Sequence, residues 1–137
     1  MRRYSVAALG IAVFGVLLVA VAVPLFAHHS TFMFVSDKTT TLEGTITELA
    51  LGNPHSVFFL DAKPVDQQNA AMKNWSVEAP PPRRLTAAGW QQGTIKPGDK
   101  VKVTGFAHKD GRRQILLIEL TDDKGHKFSI PEADYGR

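Results

Sequence analysis

The feature that most limits the fold is a series of short β-prone segments from Lys38 onward, each followed by a turn. Polar and apolar residues alternate through Thr40–Leu49, which is the pattern of a strand with one buried face. Turns are indicated at Gly52-Asn53-Pro54, Pro97-Gly98 and Lys109-Asp110-Gly111, because Gly and Pro favour chain reversal. The other predicted strands are 55–62, 75–78, 101–105, 115–120 and 127–130, with a short helix at 83–90.

This order of elements is three strands, a short helix, and then two or three strands. It predicts an all-β domain with one short helix, folded as a small OB-fold-like antiparallel β-barrel behind an N-terminal signal or anchor helix. Closing the sheet leaves few unpaired edges, which suits an exported domain of about 110 residues. An open antiparallel sandwich is the alternative architecture.

The N-terminus has the pattern of an export signal. Two arginines, Arg2 and Arg3, precede the almost unbroken apolar run Val6–Ala27, and small Ala27 stands just before the polar residue His28. We expect cleavage after Ala27. The alternative is an uncleaved anchor, because Val6–Val23 approaches the length of a membrane span. Both alternatives predict a periplasmic or otherwise extracytoplasmic domain, and membrane contact only if the segment is retained.

The predicted organisation follows from these two patterns. It comprises a signal peptide or anchor at 1–27, an N-terminal arm at 28–39, the β-barrel domain at 40–130 and a flexible tail at 131–137.

Composition excludes several classes of function. The chain has no cysteine, which excludes disulfides, thiol chemistry and cysteine-ligated metals. Without Arg2 and Arg3, 14 Lys and Arg residues face 13 Asp and Glu residues, so we expect no nucleic-acid partner. No GxSxG, HExxH, Walker or GxGxxG motif is present, and the sequence favours a non-catalytic role.

Three histidines are the candidate metal ligands: His28, His29 and His55. Cleavage after Ala27 would give His28 a free α-amine, which can chelate copper together with its own Nδ1, while another imidazole completes the site. Cleavage one residue earlier would make His29 the third residue, which suits a square-planar Cu(II) or Ni(II) site. The alternative is that these histidines are solvated or structural.

His55 is the candidate for the further imidazole. The arm 28–39 could extend about 40 Å, which would allow it to run back along the first strand and bring His28 near His55. The alternative is a ring that packs beside the turn. We expect His108 and His126 to be solvated loop residues, and Glu43, Glu48, Asp61 and Glu78 to be outward strand charges.

Several motifs occur in an order that resembles a known family. They are His28-His29-Ser30, Thr41-Leu42-Glu43-Gly44-Thr45, Asn53-Pro54-His55-Ser56, Gly89-Trp90 and Lys96-Pro97-Gly98-Asp99-Lys100-Val101. The sequence resembles a family of small exported bacterial proteins known only as a domain of unknown function. The resemblance implies an export signal cut just before His28 and a compact β-domain, and it implies no activity.

Two functional hypotheses remain open from the sequence. The first is an exported non-catalytic binding domain that binds copper through the mature N-terminal histidine. The second is an accessory or interaction subunit of an exported or membrane-bound complex, which docks through the apolar segment Phe32-Met33-Phe34. A small copper oxidase-like enzyme is a third possibility, for which the sequence offers no substrate surface.

Overall fold

A computed structural model describes residues 33–135 of the chain, so the predicted signal segment and His28 and His29 lie outside the described residues. No helix within 33–135 is long and apolar enough to cross a membrane. The elements are β1 (Phe34–Ala50), β2 (Ser56–Pro64), β3 (Lys73–Ala79), α1 (Pro82–Ala87), β4 (Lys100–His108), β5 (Gln114–Asp122), β6 (Lys127–Ser129) and a 3-10 helix (Glu132–Tyr135).

Five of the strands form a closed ring. The long strand β1 pairs antiparallel with both β2 and β4, β2 pairs with β3, and β4 pairs with β5. A parallel pairing of β3 with β5 closes the ring, while β6 extends the far half of β5. A five-stranded barrel with a helix between its third and fourth strands is the OB-fold arrangement. The predicted OB-like fold is therefore confirmed, and the open sandwich is not what forms.

Gly44 allows β1 to lie closer to β2 than a residue with a side chain would. A Cβ built at Gly44 would lie 2.6 Å from the Cβ of Ala62, on the neighbouring strand β2. The register of β1 against β2 also shifts between Ile46 and Glu48. Local irregularities of this kind increase the bend of a strand, and a small barrel needs strongly bent strands.

The core is built from the inward-facing residues of the alternating strands. Phe58, Leu60 and Ala62 of β2 are buried and alternate with more exposed neighbours, although the apolar run in this strand suggested burial on both faces. The short helix α1 adds Leu85 to this core. The most deeply buried residues also include Leu42, Ile46, Val77, Ala79, Val103, Phe106, Ile115, Leu116, Leu117 and Leu120.

The turn predicted at Pro97-Gly98 forms. Gly98 has φ of 95°, and the N–H of Asp99 donates to the carbonyl of Lys96 at 3.1 Å. A positive φ at the third residue is what a type II turn requires, and glycine adopts it without strain.

Two boundary differences change the predicted organisation of the chain. The first strand begins at Phe34 and not at Thr40, because Phe34 and Thr39 pair with His108 and Phe106 of β4. Residues 34–39 are therefore strand, so they do not belong to a free arm that could extend along the barrel. In the predicted tail, Tyr135 is buried and its hydroxyl donates to the carbonyl of Leu117 at 2.6 Å.

Candidate binding site

The candidate site centres on a contact between His55 and Glu78. His55 ends the loop between β1 and β2, and follows the cis Asn53–Pro54 peptide bond. Glu78 lies on β3, where it pairs with Val57 of β2. Because the two strands are neighbours in the sheet, Nδ1 of His55 lies 3.0 Å from Oε1 of Glu78. The side chain of His55 is 30% exposed and that of Glu78 is 10% exposed.

Gln114 completes this group from a third strand. The parallel pairing of β3 with β5 sets Gln114 opposite Ser76 and Leu116 opposite Glu78. The side-chain amide of Gln114 then donates to Oε2 of Glu78 at 3.4 Å. Each carboxylate oxygen of Glu78 therefore faces a nitrogen from a different element. We call His55, Glu78 and Gln114 the Glu78 cluster.

Glu78 corrects a sequence prediction. Its position on a strand indicated a solvated outward charge, yet the residue is only 8% exposed. The reason is the closure of the barrel, since β3 has β2 on one side and the first half of β5 on the other. The sequence signal that could have indicated this burial is the position of Glu78 between two apolar residues, Val77 and Ala79, which are both fully buried. Gln114 carried no comparable signal.

The geometry of the Glu78 cluster is suited to holding an imidazole in one orientation. Nδ1 of His55 faces the carboxylate of Glu78, which leaves Nε2 as the ring nitrogen that can bind a ligand. Histidines that bind metals commonly have their second nitrogen fixed by a carboxylate in this way. The cluster can therefore orient His55 as a ligand.

The other two described histidines also face aspartates, but within single turns. Nδ1 of His126 lies 2.7 Å from Oδ2 of Asp122, and the His126 side chain is 59% exposed. Nδ1 of His108 lies 2.6 Å from Oδ1 of Asp110. His108 is buried, so the prediction of a solvated loop residue is wrong for it. Its ring packs edge-on against Phe34, with the two centroids 5.1 Å apart.

The two aspartates of these turns have lowered pKa values. The side chain of Arg112 binds Asp110 and lowers the pKa of that carboxyl to about 2. Burial alone would raise the pKa of Asp122. Hydrogen bonds from the ring and N–H of His126 and from the N–H of Lys124 outweigh that effect and lower it.

The structure does not assemble a complete metal site from residues 33–135. Within that range, no three His, Cys, Asp or Glu side chains are grouped so that they could hold a metal ion. Of the three predicted ligands, His55 is described and lies in the Glu78 cluster. His28 and His29 precede the described range.

The fold and this cluster define a small OB-fold barrel with a histidine-bearing loop at one end. The model of a protein family of unknown function, DUF6152, matches residues 15–117. The chain therefore belongs to this family. A search of curated proteins finds no match to the chain.

Two solved structures are similar to parts of the chain. One is the mitochondrial single-stranded DNA binding protein Rim1 from S. cerevisiae, with 10% identity, a TM-score of 0.49, and coverage of 67% of this chain and 100% of that one. The other is a ZRD-deleted mutant of TiaS in complex with agmatine, with 17% identity, a TM-score of 0.49, and coverage of 71% of this chain and 27% of that one. Single-stranded DNA and agmatine are named as ligands of those two proteins, and neither is assigned to this chain.

Proposed function

We propose that this chain is an exported, non-catalytic binding domain that binds copper through histidine nitrogens. Export is supported by Arg2 and Arg3 followed by the apolar run Val6–Ala27. Copper is favoured over metals that are bound mainly by thiolate ligands, because the chain has no cysteine and offers imidazole nitrogen. The domain would thus act outside the cytoplasm.

The observation that carries the proposal is the buried carboxylate beside His55. In this proposal, the carboxylate of Glu78, 3.0 Å from Nδ1 of the partly buried His55, orients the imidazole before any ligand arrives. Gln114 holds the other carboxylate oxygen. A ligand side chain that is oriented in advance lowers the entropic cost of binding. Here the orienting residues come from the β1–β2 loop, β3 and β5.

The remaining ligands are assigned from the sequence. After cleavage behind Ala27, His28 would offer its α-amine and its Nδ1, and His29 would offer a second imidazole. In this proposal, His55 is the further imidazole. The arm that would carry His28 to it is shorter than the sequence indicated, because β1 begins at Phe34. Phe34 pairs with His108, and the adjacent Ala107 pairs with Ile115, so β1 begins near Gln114 of the Glu78 cluster. Nitrogen donors of this kind suit the square-planar or T-shaped geometry of copper.

In the first experiment, Cu(II) is titrated into the domain that begins at His28, and binding is measured by calorimetry in a phosphate-free buffer. A second protein carries one extra residue before His28, which removes the histidine amine from the chain terminus. We expect one-to-one binding by the first protein and at least tenfold weaker binding by the second. Equal affinities would contradict an amine ligand.

A matched pair of variants tests His55. His55→Ala removes the imidazole beside Glu78, whereas His126→Ala removes an imidazole that also faces an aspartate but lies in the β5–β6 turn. We expect at least tenfold weaker Cu(II) binding for His55→Ala and less than a twofold change for His126→Ala. Unchanged affinity in His55→Ala would exclude His55 as a ligand.

The alternative function is an accessory subunit that contacts an exported or membrane-bound protein. Its support is the exposure of two apolar side chains, Met33 at 45% and Leu51 at 39%. Phe34 does not contribute, since it is buried in the core. The intact mass of the exported protein separates the two proposals. A chain that still begins at Met1 has no free His28 amine and favours the anchored subunit.

A further inference from the structure

A groove separate from the Glu78 cluster lies between the loop after α1 and the turn that joins β5 to β6. Its volume is about 410 Å³. We call it the Lys124 groove. Its lining includes Lys124, His126 and Lys127 from the segment around the β5–β6 turn, and Gln91 and Thr94 from the loop after α1.

The lining of the Lys124 groove has one sign of charge. Lys124, His126 and Lys127 supply cationic or protonatable nitrogens, and none of its described lining residues is a carboxylate. Lys127 is partly neutralised by Glu119, whose Oε2 lies 2.8 Å from Nζ. Gln91 and Thr94 add neutral groups that can donate hydrogen bonds. Such a lining attracts an anion.

A buried carboxylate behind the groove holds the turn that carries Lys124 and His126. The side chain of Asp122 is 1% exposed and accepts the N–H of Lys124 at 2.9 Å and the N–H of His126 at 2.8 Å. Its second oxygen faces Nδ1 of His126 at 2.7 Å. These three donors already satisfy the carboxylate, and they fix the turn that carries the lysines and the imidazole.

We propose that the Lys124 groove binds a phosphate group, either as free phosphate or as a phosphate monoester. A tetrahedral dianion can accept hydrogen bonds from Lys124 and from the hydroxyl of Thr94. It can also accept one from Nε2 of His126 when both ring nitrogens carry a proton, because Nδ1 already faces Asp122. The groove is several times larger than a phosphate ion, so it has room for an organic substituent. This proposal does not depend on copper binding.

The test is a titration with inorganic phosphate and, separately, with glycerol phosphate, followed by amide chemical shifts of the whole domain at constant ionic strength. We expect saturable shifts in the segments 89–94 and 122–128. Tighter binding of glycerol phosphate would identify a monoester as the ligand, and equal or weaker binding would identify free phosphate. Acetate at the same ionic strength should give no saturation.

Three variants distinguish a specific phosphate-binding site from non-specific attraction by surface charge. Lys124→Ala should weaken phosphate binding at least fivefold. Lys73→Ala, which removes the same charge from an exposed position at the start of β3, should change it less than 1.5-fold. His126→Asn keeps an N–H donor for Asp122 but removes the second ring nitrogen, Nε2. It should weaken phosphate binding at least threefold. Equal losses in Lys124→Ala and Lys73→Ala, or shifts that do not saturate, would overturn the proposal.

Discussion

Two carboxylate–histidine pairs in this barrel have nearly the same local chemistry but different origins. Asp122 and His126 are four residues apart, and one turn brings them to 2.7 Å. Glu78 and His55 belong to different segments, and only the pairing of β2 with β3 brings them to 3.0 Å. The carboxylate is buried in both pairs, yet the His126 side chain is about twice as exposed as that of His55.

The difference separates a turn-forming pair from a fold-dependent one. Asp122 accepts two backbone N–H groups in its own turn, so its first role is to hold that turn. The oxygens of Glu78 instead face side chains from β5 and from the β1–β2 loop. A buried carboxylate placed in this way orients a histidine more than it stabilises a turn.

The largest effect is expected for Glu78→Ala. This change leaves a cavity and removes the carboxylate that faces His55 and Gln114, so it should lower the free energy of unfolding by about 2–3 kcal/mol. Urea denaturation followed by circular dichroism measures it. Glu78→Gln, which keeps the volume and one acceptor, should cost about 1 kcal/mol. A loss below about 0.5 kcal/mol in Glu78→Ala would show that the cluster contributes little to the fold.

A smaller effect is expected from acid, and it should come from the turn pairs. The pKa of Asp110 is lowered from 3.8 to about 2, and that of Asp122 is also lowered. A carboxyl whose pKa is lower in the folded state stabilises the protein above its unfolded pKa. That contribution is lost as the pH falls from about 4 towards 2. Melting temperatures between pH 2 and pH 5 should therefore fall with acid.

Asp110→Asn and Asp122→Asn provide the check on the acid effect. Each variant removes one titrating group, so the melting temperature should depend less steeply on pH between 4 and 2. Glu43→Gln serves as the comparison, since it removes an exposed carboxylate on β1. If the two Asn variants keep the full slope of the wild-type protein, the lowered pKa values do not stabilise these turns.

The smallest effect is expected for His126→Ala at pH 7. The ring is exposed, so its loss should change the free energy of unfolding by less than about 0.5 kcal/mol. Asp122 keeps its two backbone donors in this variant. Thermal unfolding measures the change. A loss as large as that of Glu78→Ala would erase the difference between the two pairs.

The same distinction explains what the sequence could predict. Turns such as Pro97-Gly98 depend on adjacent residues, and the strands on a local alternation, so both were predictable. The order of elements also indicated the OB-like barrel, which the pairing of β3 with β5 confirms. These features need no knowledge of distant contacts.

The missed features depend on residues far apart in the chain. Phe34 is buried because β1 continues to pair with β4 as far as His108. Glu78 is buried because β5 closes against β3. His55 was identified as a candidate, but its partner was not, because the contact requires the sheet register. The copper ligands His28 and His29 remain predictions from the sequence.

Paramagnetic broadening by Cu(II) of the histidine ring signals of the mature domain is the most direct measurement. The ring protons of His28, His29, His55, His108 and His126 are assigned, and Cu(II) is added below one equivalent. We predict that His28, His29 and His55 broaden first, while His108 and His126 stay sharp. Broadening of His126 at the same copper concentration as His55 would contradict the account, because copper would then be binding any exposed imidazole.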